Sequence, residues 1–419
     1  MNGKERLKAA LNHQEAPLLF DIGGSPITGI HCIVVEKLRD YYGLEKRPVL
    51  IHEPMQMLGY MDDDLKEVMG VQTESLWGAK NMFGMEQTDK FKEWKTPWGQ
   101  DVIVPKDFVT TKDDKGNTFI YVAGDTNYPP VSCMPSGGYY FDILNRFPEF
   151  DEDNYDVQDN FEEFGPISED GLDWIQRERD RLKNTTNAVV GNLGGASIGD
   201  IALVPGPMLK APKGIRDIEE WYVSTVVRPN VLHEIFDYQI YHAIENLKKM
   251  HDILGDTIQV AFTCGTDLGT QNGPFCSKET LRDLYMPYYK KVNNWIHENT
   301  TWKTFKHCCG SIFDLIPEFI ESGFDILNPV QWTARNMDRN ELKKYYGDRI
   351  TFWGGGIDTQ NTFPKGTPAQ VKAEALECCK IFGRGGGFVF NTIHNIQPDV
   401  PVENVVALVE AVKEYNGEK

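Results

Sequence analysis

The sequence predicts an α/β protein, a TIM (β/α)8 barrel with an inserted β-meander, and three observations lead to that fold class. From residue 257 onward, apolar runs rich in β-forming residues alternate with amphipathic helices over short links. The runs are almost continuously hydrophobic, which is typical of parallel strands covered on both faces. About eight such units fit into the 419 residues, and a TIM barrel needs eight units over roughly 250 residues or more.

The predicted elements are bounded by cap signals. Thr367 precedes a helix as an N-cap hydroxyl, with Pro368 at the first helical position. Gly323, Gly347 and Gly383 follow predicted helix ends, where we expect a left-handed backbone. In chain order, the eight predicted strands lie in "PLLFDIGG", "VQTESLW", "NAVVGNLGG", "TIQVAFT", "WKTFKHCC", "FDILNPV", "ITFWGGG" and "GGFVFNT".

A doubly wound open sheet is the alternative architecture. It needs a glycine-rich phosphate-binding turn between its first strand and first helix. The candidate stretch "GNLGGASIG" lacks the G-x-G-x-x-G spacing, so the barrel is preferred.

Residues 91–165 interrupt the strand–helix alternation. Their first part alternates apolar and polar residues between turn signals, which predicts a β-meander. An irregular acidic stretch follows and is expected to form a surface loop. We therefore predict one barrel domain over residues 1–419, with residues 91–165 inserted within it.

The charge and composition of the chain argue against some classes of function. The net charge of -19 argues against a protein that binds nucleic acid or a membrane surface, because such proteins usually carry a basic patch. No apolar run approaches the roughly 20 residues of a membrane span, and the first residues form a charged amphipathic helix. The eight cysteines are interpreted as reduced thiols. We expect a cytoplasmic location.

Candidate metal ligands lie where strands end. His307 and Cys309 follow one predicted strand, and His394 follows the last one. Because catalytic groups of TIM barrels come from the carboxyl ends of the strands, the three side chains are predicted to converge on one ion. Imidazole and thiolate ligands favour zinc. The alternatives are a structural role for His307 and a substrate contact or a loop cap for His394, while Cys308 is expected to point into the barrel wall.

Other polar and aromatic residues are predicted at the same mouth. Asp267 is a candidate for proton transfer, for substrate positioning or for a metal carboxylate, against the alternative of a loop cap. With His307, we assign it to catalysis. Six further residues are predicted to contact substrate: Asp21, His31, Gln271, Trp332, Trp353 and Asp358. No nucleophile elbow, P-loop, H-E-x-x-H or kinase signature is present.

Three stretches resemble the uroporphyrinogen decarboxylase superfamily. They are "FKHCCGSIFDLIPEFIESGFDILNPVQ", "FWGGGIDTQNTFPKGTPAQV" and "GGGFVFNTIHNIQPDVPVENVVALVEAV", and the resemblance runs from about residue 258 to residue 412. It implies a TIM barrel. The decarboxylases carry an arginine-rich N-terminal motif that binds substrate carboxylates, whereas the equivalent "APLLFDIGGSPITG" has no arginine.

The resemblance is greater to the corrinoid-dependent methyltransferases of the superfamily. Their zinc is held by a His-x-Cys-Gly motif, which His307 to Gly310 match, and by a late cysteine, where this chain has His394. This implies zinc-assisted transfer of a methyl group from a small donor, such as a methoxyaromatic, to the corrinoid of a partner protein. The alternatives are methylcorrinoid-to-thiol transfer, decarboxylation of a porphyrinogen, and a non-catalytic corrinoid-binding role.

Overall fold

Eight parallel strands form the central sheet, and they curl into a barrel. The computed structural model of the chain describes residues 1–88, 90–147 and 149–418. In chain order, its strands are β1 (Leu19–Phe20), β2 (Val49–Glu53), β3 (Leu58–Gly59), β4 (Thr73–Leu76), β5 (Phe91–Lys95), β6 (Asp101–Pro105), β7 (Thr110–Lys112), β8 (Thr118–Ile120), β9 (Ser132–Met134), β10 (Asp142–Ile143), β11 (Ala188–Asn192), β12 (Val260–Cys264), β13 (Lys303–His307), β14 (Ile326–Asn328), β15 (Thr351–Trp353) and β16 (Phe388–Phe390).

Helices surround this sheet. They are α1 (Gly3–Leu11), α2 (Cys32–Tyr41), α3 (Asp63–Met69), α4 (Glu169–Leu182), α5 (Ile218–Val227), α6 (Pro229–Leu254), α7 (Lys278–Thr280), α8 (Met286–Asn299), α9 (Ile316–Glu321), α10 (Arg339–Tyr346), α11 (Thr362–Lys365), α12 (Pro368–Gly383) and α13 (Val402–Tyr415). A π-helical turn at Leu281–Tyr285 joins α7 to α8. No helix in the described part of the chain combines the length and the apolar character needed to cross a membrane.

The predicted TIM barrel is confirmed. The strand order is β1-β16-β15-β14-β13-β12-β11-β4, all parallel, and each of the eight predicted segments contains one of these strands. At the seam between β4 and β1, Gln72 N donates to Phe20 O at 3.1 Å. The Thr73 hydroxyl adds a bond to Asp21 Oδ1 at 2.6 Å. These bonds bring the two outer strands of the sheet together.

The lumen of the barrel is filled with side chains. Leu7 and Ala10 of α1 pack there with residues from seven of the strands, which are Leu19, Ala188, Val190, Val260, Phe305, Ile326, Trp353 and Val389. A Cβ on Gly3 would lie 2.3 Å from Gln72 O, so α1 approaches the strand backbones closely. Because α1 and the lumen layer fill the interior, a ligand site is left to the other, C-terminal end of the strands.

Residues 91–165 form two sheets together with earlier strands. The strands β7, β8, β9 and β10 make an antiparallel meander, whereas β5 and β6 join a second sheet in the order β3-β2-β6-β5. The strands β2 and β6 pair in parallel although they are far apart in the sequence. The domain division predicted from the sequence stays a prediction.

The predicted glycine caps are correct at one position of three. Gly323 has a φ of +86° after α9, as expected. Gly347 has a φ of -68°, and Gly383 is the last residue of α12. A Cβ on Gly383 would lie 2.7 Å from the hydroxyl oxygen of Tyr415, so this glycine serves the close packing of α12 on α13.

Candidate metal centre

The end of β13 sends successive side chains to opposite sides of the barrel wall. Phe305 belongs to the lumen layer, and Cys308 is 0% exposed in the outer layer between strands and helices, as predicted. Cys308 Sγ accepts a hydrogen bond from Leu268 N at 3.1 Å. This alternation follows from the pleat of a strand, and it leaves His307 and Cys309 at the barrel mouth.

The three predicted metal ligands meet. One ligand atom each from His307, Cys309 and His394 lie within 4.8 Å of one another. His307 Nε2 is 3.4 Å from Cys309 Sγ, and the two imidazole centroids are 6.0 Å apart. His394 comes from the loop after β16, so two separate corners of the barrel supply the cluster.

A hydrogen bond from the neighbouring strand orients the His307 ring. His307 and Asn328 are register partners on β13 and β14. Asn328 Nδ2 donates to Trp353 O at 2.8 Å, which directs its Oδ1 towards His307 Nδ1 at 2.7 Å. Nδ1 therefore carries the proton, and the lone pair of Nε2 faces Cys309. A polar partner on the second ring nitrogen is the usual support of a metal-bound histidine.

Asp267 holds the loop that carries Cys309. Its Oδ1 accepts the Cys309 backbone N–H at 2.6 Å and lies 3.6 Å from His307 Nε2. Burial raises the pKa of the Cys309 thiol well above its ordinary value, and the Asp267 charge raises it further. The carboxylate therefore favours a cation at this place.

Both imidazoles of the cluster are neutral near pH 7. Burial lowers the pKa of His307. Burial also lowers the pKa of His394 to about 4, with a further contribution from the neighbouring His307. Neutral imidazole is the form that binds a metal.

The donor set fits zinc. Two imidazoles and one thiolate are ligands that zinc prefers, and three protein ligands would leave one of its four positions for a substrate, as in catalytic zinc sites. Bonds of roughly 2.0–2.3 Å place the ligand atoms of a tetrahedral site about 3.5 Å apart. His307 Nε2 and Cys309 Sγ already have this separation at 3.4 Å, whereas the full set lies within 4.8 Å.

Asp21 and Trp353, two of the predicted substrate contacts, bind each other in the lumen. Asp21 Oδ2 accepts the Trp353 indole N–H at 2.8 Å. Its Oδ1 accepts Thr73 Oγ1 at 2.6 Å and Gly24 N at 3.0 Å. Both carboxylate oxygens are thus engaged in joining β1, β4 and β15, and the substrate role of these two residues stays a prediction.

His31 and Asp358 serve their own loops. His31 caps α2 through Nδ1, which accepts Ile33 N at 3.2 Å, and its Nε2 lies 3.3 Å from Tyr139 O of the inserted region. Asp358 Oδ1 accepts two backbone N–H groups of the turn that follows it. The substrate role of His31 and Asp358 stays a prediction.

Gln271 and Trp332 lie on adjacent loops. Gln271 is exposed, and its backbone oxygen accepts Arg335 N at 3.0 Å. The Trp332 indole donates to Gly355 O at 2.8 Å, and the Arg339 guanidinium stacks 4.3 Å from the ring centroid. These two residues are consistent with a rim position, and their substrate role also stays a prediction.

Sequence reasoning missed four residues around the cluster. Asn328 ends an apolar run beside the strand of His307, a signal that was present. The other three are Asp200, Tyr222 and Lys306. Tyr222 lies inside α5 with its hydroxyl buried and unpartnered among the described residues, a feature that no local pattern indicates.

Lys306 supports the Asp267 loop from behind. It is 0% exposed, and its Nζ donates to Thr266 O at 2.5 Å. The same Nζ lies 3.4 Å from Cys264 Sγ and over the rings of Tyr289 and Phe319, at 5.3 and 5.5 Å from their centroids. The lysine thus fixes the backbone one residue before Asp267.

Comparison with solved structures supports the architecture. The chain is similar to a methyltransferase from Methanosarcina mazei with a TM-score of 0.56 and 15% identity, covering 98% of each chain. At this identity the likeness establishes the barrel fold.

Comparison with known sequences supplies the family. The chain is 34% identical over 95 residues to a uroporphyrinogen decarboxylase of Coxiella burnetii (strain Dugway 5J108-111), which is 23% of this chain and 24% of that protein. It is 34% identical over 192 residues to the uroporphyrinogen decarboxylase of Actinobacillus succinogenes, 45% of this chain and 49% of that one. The chain thus spans about a quarter to a half of these relatives. Residues 201–415 match the family described as Uroporphyrinogen decarboxylase (URO-D), and the chain belongs to that family.

Proposed function

We propose that this protein is a methyltransferase that transfers a methyl group from a small methylated donor to a corrinoid carried by a partner protein. The observation that carries the proposal is the cluster of His307, Cys309 and His394 at the barrel mouth. The similarity over 98% of the chain to a methyltransferase of the same fold supports it.

The reaction requires help at the leaving atom. The carbon–oxygen bond of a methyl ether breaks with its electron pair on oxygen, the methyl carbon bonds to the reduced corrinoid cobalt, and the oxygen takes up a proton. Because an unprotonated alkoxide or phenolate leaves poorly, positive charge or a proton must reach that oxygen. Zinc held by His307, Cys309 and His394 would supply this as a Lewis acid.

The residues of the chain prepare that site. Asn328 holds His307 with Nε2 free, and Asp267 holds the Cys309 backbone. One thiolate and two neutral imidazoles give a zinc site a net charge of about +1, whereas a second thiolate in place of His394 would bring it to zero. The less negative ligand set makes the stronger Lewis acid, which favours activation of an ether or amine donor over activation of a thiol. We assign Asp267 to orienting the donor.

Decarboxylation of a porphyrinogen is the second candidate, because the curated relatives carry that name. A polycarboxylate substrate needs cations at the mouth. The stretch 16–29 contains neither arginine nor lysine, and its Asp21 carboxylate is already bonded on both oxygens. Charge complementarity therefore favours methyl transfer.

The test combines metal content with an activity assay. The purified protein should contain about one zinc per chain and should methylate a reduced corrinoid protein from a methoxyaromatic or a methylamine. Cys309→Ala and His394→Ala should lose zinc and at least about 100-fold of the rate, consistent with the worth of a catalytic metal. Cys133→Ala, which changes a cysteine of the inserted meander, is the matched control and should keep both.

Two results would contradict the proposal. One is full activity in metal-free protein, which would remove zinc from the mechanism. The other is release of carbon dioxide from a porphyrinogen without methyl transfer, which would favour the second candidate.

A further inference from the structure

A cavity of about 180 Å³ lies beyond the carboxyl end of β11. Its walls come from the loop at residues 195–208, from Trp221 on α5 and from the first half of α6. Gln239 of α6 donates to Gly195 O at 2.9 Å, which ties the helix to the loop. The cavity thus lies at the same end of the barrel as the metal cluster.

The size and lining of the cavity suit a single ring. Leu203, Val204, Met208 and Ile235 supply an apolar wall, with Trp221 beside them. An apolar cavity of about 150 Å³ is enough to hold benzene. A molecule with one six-membered ring and a small substituent therefore fits, and a porphyrinogen does not.

Two polar groups point to a ligand with a polar substituent. The Trp221 side chain is buried, and its indole N–H makes no well-formed hydrogen bond among the described residues, although the Tyr285 hydroxyl lies beside it. Asp200 accepts one hydrogen bond, from Ala202 N to Oδ1 at 2.9 Å, and no donor to Oδ2 is found within the described ranges. A buried, unpaired N–H costs free energy, so a ligand that supplies an acceptor would be stabilised here.

The cavity does not suit an anion. Its arginine, Arg216, is 1% exposed and already paired, with Nη1 and Nη2 donating to the two carboxylate oxygens of Glu163 at 2.5 and 2.9 Å. Arg216 Nη2 also donates to Asp159 O and Nε to Lys213 O. A ligand carboxylate would therefore meet Asp200 and Glu163 with no free cation in the described lining.

Asp200 connects the cavity to the catalytic side of the mouth. Gly265, at the end of β12, donates its N–H to Ser197 Oγ at 2.8 Å, and a Cβ there would lie 3.1 Å from Asp200 Oδ2. Asp267 follows two residues later. Burial raises the pKa of Asp200 to about 7, and the Asp267 charge raises it further.

We propose that this cavity holds the body of the methyl donor, that the donor is an uncharged single-ring methoxyphenol, and that Asp200 hydrogen-bonds its hydroxyl group. The inference rests on the proposed function and names its substrate class. Asp200 and Trp221 are then substrate-binding residues, and the ring carries its methoxy group towards the cluster of His307, Cys309 and His394.

The test measures binding without the partner protein. Calorimetric titration of the zinc-loaded protein with 2-methoxyphenol should give saturable binding, and 4-hydroxy-3-methoxybenzoate should bind at least about 10-fold more weakly because its carboxylate lacks a cation. Asp200→Ala should weaken 2-methoxyphenol binding about 10-fold, in line with one lost hydrogen bond in a buried site. Asp338→Asn is the matched control: Asp338 caps α10 outside the cavity, an asparagine caps equally well, and binding should be unchanged.

A cavity-filling variant gives an independent test. Leu203 is only half-buried, so Leu203→Trp can fill the cavity without displacing core residues, and it should abolish 2-methoxyphenol binding while zinc content stays at the wild-type level. Leu203→Ala should accept a two-ring methoxynaphthol that the wild type rejects. Equal affinity of the wild type for the phenol and the benzoate, or unchanged phenol binding in Leu203→Trp, would overturn the inference.

The outcomes separate the two proposals. Binding of 2-methoxyphenol that is lost in Leu203→Trp supports the cavity even if no methyl transfer to a corrinoid protein follows, in which case the proposed function fails alone. Methyl transfer from 2-methoxyphenol that continues unchanged in Leu203→Trp and Asp200→Ala would support the proposed function and overturn this inference.

Discussion

At His307, a single hydrogen bond decides which ring nitrogen is available to a metal. Asn328 Oδ1 accepts from Nδ1 at 2.7 Å, and the Asn328 amide is itself fixed by Trp353 O at 2.8 Å. The three residues lie on the neighbouring strands β13, β14 and β15, so the sheet register sets the ligand geometry. The amide contacts the His307 ring at Nδ1 and is not itself one of the three ligands, so Asn328 acts as a positioning residue.

We expect Asn328→Ala to lower zinc affinity about 10- to 100-fold, the usual effect of removing the partner of a metal-bound histidine. Competition with a chromophoric chelator measures this. Asn293→Ala is the matched control, because Asn293 is also a buried asparagine that donates to a backbone oxygen, Ser322 O, at 2.8 Å. It should lower stability and leave zinc affinity unchanged, and an equal loss in both variants would show that Asn328 is only structural.

At the level of elements, the corner after β13 is formed by a close approach of two loops. Gly310 has a φ of +92°, and a Cβ on it would lie 2.5 Å from the carbonyl carbon of Gly269. The adjacent Ser311 N donates to Thr270 O at 2.7 Å. The β12 and β13 loops, which carry Asp267 and Cys309, are therefore locked together at a residue that must be glycine.

Replacing Gly310 with alanine should cost about 3 kcal/mol or more, since the left-handed conformation costs roughly 1–2 kcal/mol and the clash with Gly269 adds to it. Gly137→Ala is the matched control, because Gly137 has a φ of +79° and nothing within 4 Å of a Cβ. It should cost only the conformational part. Chemical denaturation monitored by circular dichroism measures both, and equal losses would remove the interloop contact from the explanation.

The sequence predicts the barrel strands better than it predicts the non-local contacts between strands and loops. Buried parallel strands are continuous apolar runs, so all eight barrel strands were predicted, and barrel closure brought His394 towards His307. The pairing of β2 with β6 was missed, because a non-local register leaves no mark on a local pattern. Asp200 was missed for the same reason, because it acts on a residue from another loop. Asn328 ends an apolar run and could have been found from that pattern.

At the level of the whole molecule, carboxylates lie both at the mouth of the barrel and in the sheet beside it. Asp200 lies in the cavity and Asp267 beside the metal cluster, and a third carboxylate, Glu53, ends β2 in the adjoining sheet. Glu53 accepts Met55 N at 2.9 Å and Gln56 N at 2.8 Å. Burial nevertheless raises the pKa of Glu53 to about 7. Stability should therefore depend on pH through Glu53.

The sign follows from proton binding. Between the unfolded pKa near 4.5 and the folded pKa of about 7, the folded protein keeps a proton on Glu53 that the unfolded chain has released. The free energy of unfolding therefore falls as pH rises through this window.

In Glu53→Gln this contribution is absent, so the loss of stability between pH 5 and pH 8 should be smaller by about 2 kcal/mol. This is somewhat less than the full pKa shift converted at roughly 1.4 kcal/mol per pH unit, because the pH range does not cover the whole titration. The variant also loses one acceptor of the turn, which lowers stability equally at every pH. Urea denaturation at pH 5, 6, 7 and 8 separates the two effects. The exposed Glu298→Gln serves as control, and a Glu53→Gln profile parallel to that of the wild type would show that Glu53 stays ionised in the folded protein across this range.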